Sequence, residues 1–193
     1  MAKGARKAGG SNTLRIIGGQ WRGRKLHFPD GEGLRPTTDR VRETVFNWLQ
    51  PVIAGARCLD LFSGSGALGL EALSRGAGEV LFIERNPQAV KALKENLALV
   101  QAANAEVHQG DALAYLRSEP KPFDVVFLDP PFRQDLLTPA LKLLAEGGWV
   151  TTGSRIYLEL ESEQGEPVLP PGWTLLRSKQ AGQVAYHLAE VGE

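Results

Sequence analysis

Two short runs carry residues that could do chemistry. Asp60-Leu-Phe-Ser-Gly-Ser-Gly-Ala-Leu-Gly69 satisfies the pattern Gly-x-Gly-x-x-Gly, and Glu84 follows 20 residues after Gly64. Glycines at that spacing let a backbone approach a ligand closely at the head of a helix, and an acid at that distance suits ribose hydroxyls. Taken alone this is a dinucleotide fingerprint, which keeps a nicotinamide oxidoreductase open as a reading; the bland alternative is a tight turn. The second run, Asp129-Pro-Pro-Phe132, is the more specific. Two prolines stiffen the backbone, and Pro130 has no N–H to compete for bonds. The Asp129 carboxylate and the Pro130 carbonyl can then both accept hydrogens from one exocyclic amine. Phe132 offers a face for a planar base, a contact of ~1–3 kcal/mol. An aromatic amine is a poor nucleophile because its lone pair is delocalised into the ring. Two acceptors on its hydrogens favour a tetrahedral nitrogen whose lone pair can attack. Asp129, Pro130 and Phe132 are therefore the catalytic candidates, against the alternative of a plain strand-to-loop turn.

Alternating strands and helices must position these runs. Arg57–Phe62, Glu79–Glu84, Glu106–Gln109, Asp124–Leu128 and a stretch within Trp149–Leu160 read as strands. Helices are expected over Ala67–Arg75, from the Asn86-Pro87 cap onward with Val90, Leu93, Leu97 and Val100 inward, over Asp111–Leu116, and over Asp135–Ala145. This alternation predicts a doubly wound, mostly parallel α/β sheet. Two further strands, near Trp173–Leu176 and Val184–Leu188, are close enough in sequence to pair antiparallel at the sheet edge. Ahead of this domain, residues 13–50 read as an appendage. A hairpin of Leu14–Ile17 and Lys25–Phe28 flanks a glycine-rich loop, and a helix capped by Thr38 or Asp39 runs to about Leu49, with Pro51 after its end.

Ligands of open α/β sheets bind at the carboxyl ends of the strands. Asp60, Glu84, Asp111 and Asp129 converge there. Four acids repel a pyrophosphate and suit a cationic ligand with ribose and amino groups. S-adenosylmethionine carries a sulfonium, an ammonium and a ribose.

Composition bounds the rest. The chain has 193 residues, 42% of them apolar, which fits one domain with an appendage. No apolar run suits a membrane, and no apolar segment follows the basic start, so a soluble, cytoplasmic protein is expected. A single cysteine, Cys58, and three scattered histidines, His27, His108 and His187, suggest neither disulfide nor metal site. Cys58 reads as buried and inert. The zero net charge hides an asymmetry: residues 1–50 hold ten Lys and Arg against four Asp and Glu, and the remainder is correspondingly acidic. Residues 1–12 read as a disordered basic tail. The basic residues continue into ordered chain at Arg15, Arg22, Arg24, Lys25, Arg35, Arg40 and Arg42, which points to a polyanionic partner, although Arg40 and Arg42 could equally be solvated helix charges. Trp21, in the polar loop, is the candidate for stacking on RNA, whereas Trp48 fits an apolar helix face.

The glycine run through Leu73 and Asp129-Pro-Pro-Phe132 resemble the cofactor and amine-gripping motifs of Rossmann-like, S-adenosylmethionine-dependent amino-methyltransferases. Arg35–Leu49, Ile16–Arg24 and Gly182-Gln-Val-Ala-Tyr186 narrow the likeness to the bacterial 16S ribosomal RNA guanine-N2 methyltransferases. The resemblance covers nearly all the chain after Leu14. It implies a seven-stranded sheet, a guanine 2-amino group as methyl acceptor, and a partner in the small ribosomal subunit, with the enzyme acting as a monomer. By position it implies that Asp60, Ser63, Gly64 and Gly66 line the methionine part of the cofactor. Glu84 and Arg85 would meet the ribose, Asp111 and Ala112 the adenine, and Thr37, Thr38 and Arg42 the cofactor's carboxylate. Arg15, Trp21, Arg22, Arg24, Lys25 and Arg40 complete an RNA-facing set. Sister activities on adenine N6 of nucleic acid or on a protein glutamine need the same grip, and a non-enzymatic RNA-binding module is the alternative from another class.

Overall fold

The computed structural model describes residues 12–31, 34 and 36–193. Most of the basic tail and Arg35 lie outside the described residues. A seven-stranded sheet is built from β3 (Arg57–Asp60), β4 (Glu79–Glu84), β5 (Ala105–Gln109), β6 (Phe123–Leu128), β7 (Val150–Glu161), β8 (Trp173–Ala181) and β9 (Val184–Val191). Its order is β5-β4-β3-β6-β7-β9-β8. The first five strands of that order run parallel, and β9 pairs antiparallel with both β7 and β8. This is the doubly wound α/β sheet with an antiparallel C-terminal hairpin that the alternation anticipates.

The helices follow local rules. Helix α2 (Ala67–Ser74) is buried along its whole length, and Gly66 at φ 81° opens it. Gly69 is required by close packing, since a Cβ there would stand 2.2 Å from the Phe82 ring on β4. Helix α3 (Pro87–Leu99) starts where Asn86 accepts from the backbone N–H of Gln88 and Ala89, with proline in the first turn. Its inward residues Val90, Leu93 and Leu97, together with Val100, are buried as the 3.6-residue period requires. Helices α4 (Ala112–Tyr115) and α5 (Leu137–Glu146) complete the set after β5 and β6. Cys58 is fully buried, and burial pushes its thiol up.

Some boundaries differ from the sequence reading. Helix α1 (Asp39–Ile53) continues past Leu49 and takes in Pro51. Pro51 cannot donate the i→i−4 hydrogen bond to Asn47, and the burial of Ile53 in the extra turn offsets that loss. Helix α5 begins at Leu137 rather than Asp135, whose φ of 48° is left-handed. The last two strands are longer than expected and meet at Gly182-Gln183, with β8 at the sheet edge.

The N-terminal strands β1 (Asn12–Arg15) and β2 (Lys25–Phe28) form a separate antiparallel pair. They do not stand off as an appendage. Leu14, Ile16 and Leu26 are buried in the same apolar cluster as Val45 and Phe46 of α1 and Leu70 and Leu73 of α2. The loop after β1 is clamped onto the end of α2. Trp21 N–H donates to Ser74 Oγ at 3.0 Å, and Gly19 lies so close that a Cβ would overlap the Ser74 carbonyl at 1.9 Å.

Beneath this clamp lies a charged group with no access to water. The Glu71 carboxylate, 0% exposed, accepts from Ile17 N–H at 2.8 Å, Gly18 N–H at 3.0 Å, Arg42 at 3.2 Å and Arg75 at 3.0 Å. Arg42, 1% exposed, donates also to the carbonyls of Arg15 at 2.8 Å and Thr37 at 3.1 Å, and to Asp39 at 2.7 Å. Burial pulls the Arg42 guanidinium down from its ordinary value, while Glu71 and Asp39 hold it up. Glu71→Ala leaves the Ile17 and Gly18 N–H groups without an acceptor and the buried Arg42 with only the exposed Asp39 as counter-charge. It should destabilise the fold by about 3–5 kcal/mol in urea unfolding. A loss below ~1 kcal/mol would mean that water replaces the carboxylate at no cost.

Candidate active site

Asp60 ends β3, Glu84 ends β4, Asp111 caps α4 after β5, and Asp129 follows β6. The strand order reverses between β3 and β6, which opens a crevice at their carboxyl ends. A cleft of about 270 Å³ occupies it. Gly64, Glu84, Arg85, Asp111, Ala112 and Asp129 line this cleft, with Leu34, Leu61, Ile83 and Leu136 as apolar wall. Glu84 accepts from Gly64 N–H at 2.6 Å and from Asn86 N–H at 3.0 Å, so it ties the glycine loop to the head of α3. Each carboxylate oxygen keeps a further lone pair for a ligand. Asp111 spends one oxygen on Ala114 N–H at 2.9 Å.

A second cavity, of about 320 Å³, lies against the same tetrapeptide. Its walls are Pro36, Thr37, Thr38, Val41, Pro130, Phe132, Glu159, Ala181 and Val184. Phe132 is 46% exposed. Asp129 and Pro131 line both cavities. The carboxylate of Asp129 thus stands where the two spaces meet.

Burial pushes the Asp129 carboxyl well above the usual carboxylate range, helped by the charges of Glu159 and Asp60, while a hydrogen bond from Thr37 at 3.4 Å pulls the other way. Glu159, 7% exposed on β7, is a site residue that the sequence reading missed. An acid among Ile156, Leu158 and Leu160 in an expected central strand was the available signal. Tyr157 donates its hydroxyl to Glu159 at 3.0 Å. Burial and the neighbouring carboxylates push the Tyr157 phenol up, which keeps it a donor.

Several expected cofactor residues sit elsewhere. Arg42 is consumed by Glu71, Asp39 and two carbonyls and does not line the cleft. Thr37 and Thr38 line the second cavity instead, and Thr38 Oγ1 also caps α1 by accepting from Val41 N–H at 3.4 Å. Asp60, 2% exposed, faces inward and accepts from Gly69 N–H at 3.1 Å. Ser63 donates to the Asp60 carbonyl at 2.8 Å, and Gly66 packs against Leu93. These three brace the glycine loop from behind. Of the RNA-facing set, Arg15, Arg22, Arg24, Lys25 and Arg40 are exposed, whereas Trp21 is half-buried against the core. Trp48 is half-buried too and stacks on Tyr186, with ring centroids 5.4 Å apart. Among the described residues, no group of three or more His, Cys, Asp or Glu is arranged to hold a metal ion, and no helix is long and apolar enough to cross a membrane.

A parallel sheet closed by an antiparallel strand between its last two members, with a glycine loop and acids along one edge, defines a Rossmann-like methyltransferase. Comparison with known proteins agrees. The family described as Conserved hypothetical protein 95 matches residues 14–190. Ribosomal RNA small subunit methyltransferase D of Escherichia coli K12 is 55% identical over 93% of this chain and 90% of its own length. The protein of the same name from Haemophilus influenzae is 48% identical over 91% and 92%. A solved structure from Escherichia coli superposes with a TM-score of 0.89 at 51% identity, covering 94% of this chain and 99% of that one. The chain belongs to this family, that of the small-subunit ribosomal RNA methyltransferases D.

Asp60 yields a test of its inward placement. Burial raises its carboxyl from 3.8 to about 7, against the Gly69 hydrogen bond. The folded state then binds this proton more tightly than the unfolded chain. The stability it contributes is full below about pH 4 and is lost as pH rises through about 7. Asp60→Asn keeps an acceptor for Gly69 but removes the titration. Its stability relative to the parent should therefore rise between about pH 5 and about pH 7.5 in urea titrations, by at most ~1.4 kcal/mol per pH unit. A difference that is flat with pH would mean Asp60 is ionised throughout.

Proposed function

We propose that the protein transfers a methyl group from S-adenosylmethionine to the exocyclic N2 of a guanine in 16S ribosomal RNA. One observation carries the reading: Asp129 and Pro131 stand in the walls of two adjoining cavities at once. One cavity is fitted to hold the donor, the other a flat base. Its support also comes from the family, whose relatives are named for methylation of small-subunit ribosomal RNA.

The first cleft fits a cationic nucleoside. The Glu84 carboxylate is positioned for ribose hydroxyls, and Asp111 with the apolar wall of Ala112, Ile83 and Leu136 for the adenine. When bound, the cofactor would supply an electrophilic methyl on sulfonium sulfur, with a neutral thioether as the leaving group. Asp129 and the Pro130 carbonyl hold the hydrogens of the base amine, so that its lone pair faces the first cleft. Phe132 stacks on the base and excludes water. As the N–C bond forms, positive charge develops on N2 beside the Asp129 carboxylate, where it is stabilised most; a proton then passes to that carboxylate or to solvent. Positioning supplies most of the acceleration, with no covalent enzyme intermediate. The target must be unstacked to enter, at a cost of a few kcal/mol that a loop already splayed by a folded particle reduces.

Incubation with labelled S-adenosylmethionine and undermethylated small subunits, naked 16S RNA, DNA and bulk protein tests this. The expected product is N2-methylguanosine at one site, more from subunits than from naked RNA. N6-methyladenine or methylglutamine would overturn the substrate reading. Asp129→Ala should lower turnover about 10²–10⁴-fold with cofactor affinity within a few-fold, because its carboxylate serves the transition state. Near-normal turnover would refute its role.

The exposed Arg15, Arg22 and Lys25 are the proposed phosphate contacts. Replacing all three with alanine leaves the buried Leu14, Ile16 and Leu26 in place. RNA affinity should fall, and the slope of log K against log salt should become shallower by roughly 0.7 per lost contact, about 2 in all. An unchanged slope would remove this face from the interface.

A further inference from the structure

We propose that Glu159 reads the identity of the target base, accepting the ring N1–H of guanine while Asp129 accepts a hydrogen of its 2-amino group. The inference rests on the reading that the acceptor is a guanine amine. It goes further in assigning the residue that makes the pocket choose guanine.

The geometry is that of paired acceptors. Strands β6 and β7 are parallel neighbours with Leu128 beside Leu158, so the next residues, Asp129 and Glu159, emerge side by side at the carboxyl edge. Both line the cavity that also holds Pro130, Phe132 and Thr37. Glu159 is 7% exposed, yet among the described residues no basic side chain forms an ion pair with it. Oε1 accepts from the Tyr157 hydroxyl, and the Asp129 carboxyl lies within hydrogen-bonding reach. A carboxylate accepts about four hydrogen bonds, so these two partners leave acceptor capacity on the cavity side. Two adjacent carboxyls also oppose each other, which contributes to the high Asp129 value. A ligand with two adjacent donors uses that capacity and relieves the opposition.

Among the standard bases with an exocyclic amine, only guanine carries a ring N–H next to it. Adenine and cytosine place a bare ring nitrogen there, and a glutamine amide places a carbonyl oxygen. Each would set a lone pair against the Glu159 carboxylate. A site built around hydrogen-bond acceptors rejects ligands that lack the matching donor far more strongly than an apolar slot rejects extra bulk. Tyr157 aims the carboxylate from behind, on the same face of β7 two residues away.

The probe is 2-aminopurine, which keeps the 2-amino group of guanine and lacks the N1 hydrogen. Small subunits are reconstituted with guanine or 2-aminopurine at the position found methylated, and single-turnover rates are compared. The parent enzyme should methylate 2-aminopurine about tenfold to a hundredfold more slowly, as expected for one lost base-edge contact. In Glu159→Gln, the side-chain amide can donate to the bare N1. Its rate on guanine should fall, while its rate on 2-aminopurine should hold or rise, narrowing the preference. Melting temperature should not fall, and affinity for the demethylated cofactor should be unchanged. Equal parent rates on the two bases would overturn the proposal whether or not the variant folds, as would a folded Glu159→Gln that keeps the parent preference. Failure of the parent enzyme on guanine-bearing subunits would instead overturn the underlying reading, which is a distinguishable result.

Discussion

The buried ion pair of Glu71 and Arg42 is the constraint on which the rest of the architecture depends. Neither charge touches water, and each is affordable only because the other is present with a full set of backbone partners. Those partners come from the end of β1 with the loop after it and from the segment before α1, while Glu71 itself belongs to α2. One pair therefore ties three separate stretches of chain together. Through the Thr37 carbonyl it reaches the active site: Arg42 holds that carbonyl, and the Thr37 hydroxyl bonds to Asp129. An apolar pair of equal volume could fill the same space, but it would not select one orientation for all three segments.

Along the carboxyl edge of the sheet, the acids take separate places. Asp60 braces the glycine loop, Glu84 and Asp111 stand in the wall of the cleft, and Asp129 with Glu159 lines the second cavity. Burial, with neighbouring carboxylates adding to it, raises the carboxyls of Asp60 and Asp129. Such an edge suits ligands that are cationic or rich in hydrogen-bond donors.

Much of this was legible in the sequence where the cause is local. The Asn86-Pro87 cap, the glycine loop and the Asp-Pro-Pro-Phe turn depend on residues within a few positions of each other. Periodicity identified the inward face of α3 for the same reason. Arg42 was not legible, because its partner Glu71 lies 29 residues further along and helix periodicity does not say what stands opposite a charge. Asp60 likewise reads as a ligand contact until the packing of α2 shows it turned toward Gly69. The union of the N-terminal hairpin with the main core also depends on long-range packing, since hairpin patterns look alike whether they stand free or are clamped. Pro51 shows tertiary burial of Ile53 outweighing a local stop signal.

The position of β9 has a consequence for how the protein is made. It enters the sheet between β7 and β8, although it follows both in the chain. During vectorial synthesis β8 emerges before β9, its only neighbour in the sheet. The strands that position Asp60, Glu84 and Asp129 precede both in the chain. The second cavity, walled in part by Ala181 of β8 and Val184 of β9, therefore closes only when the end of the chain has joined the sheet.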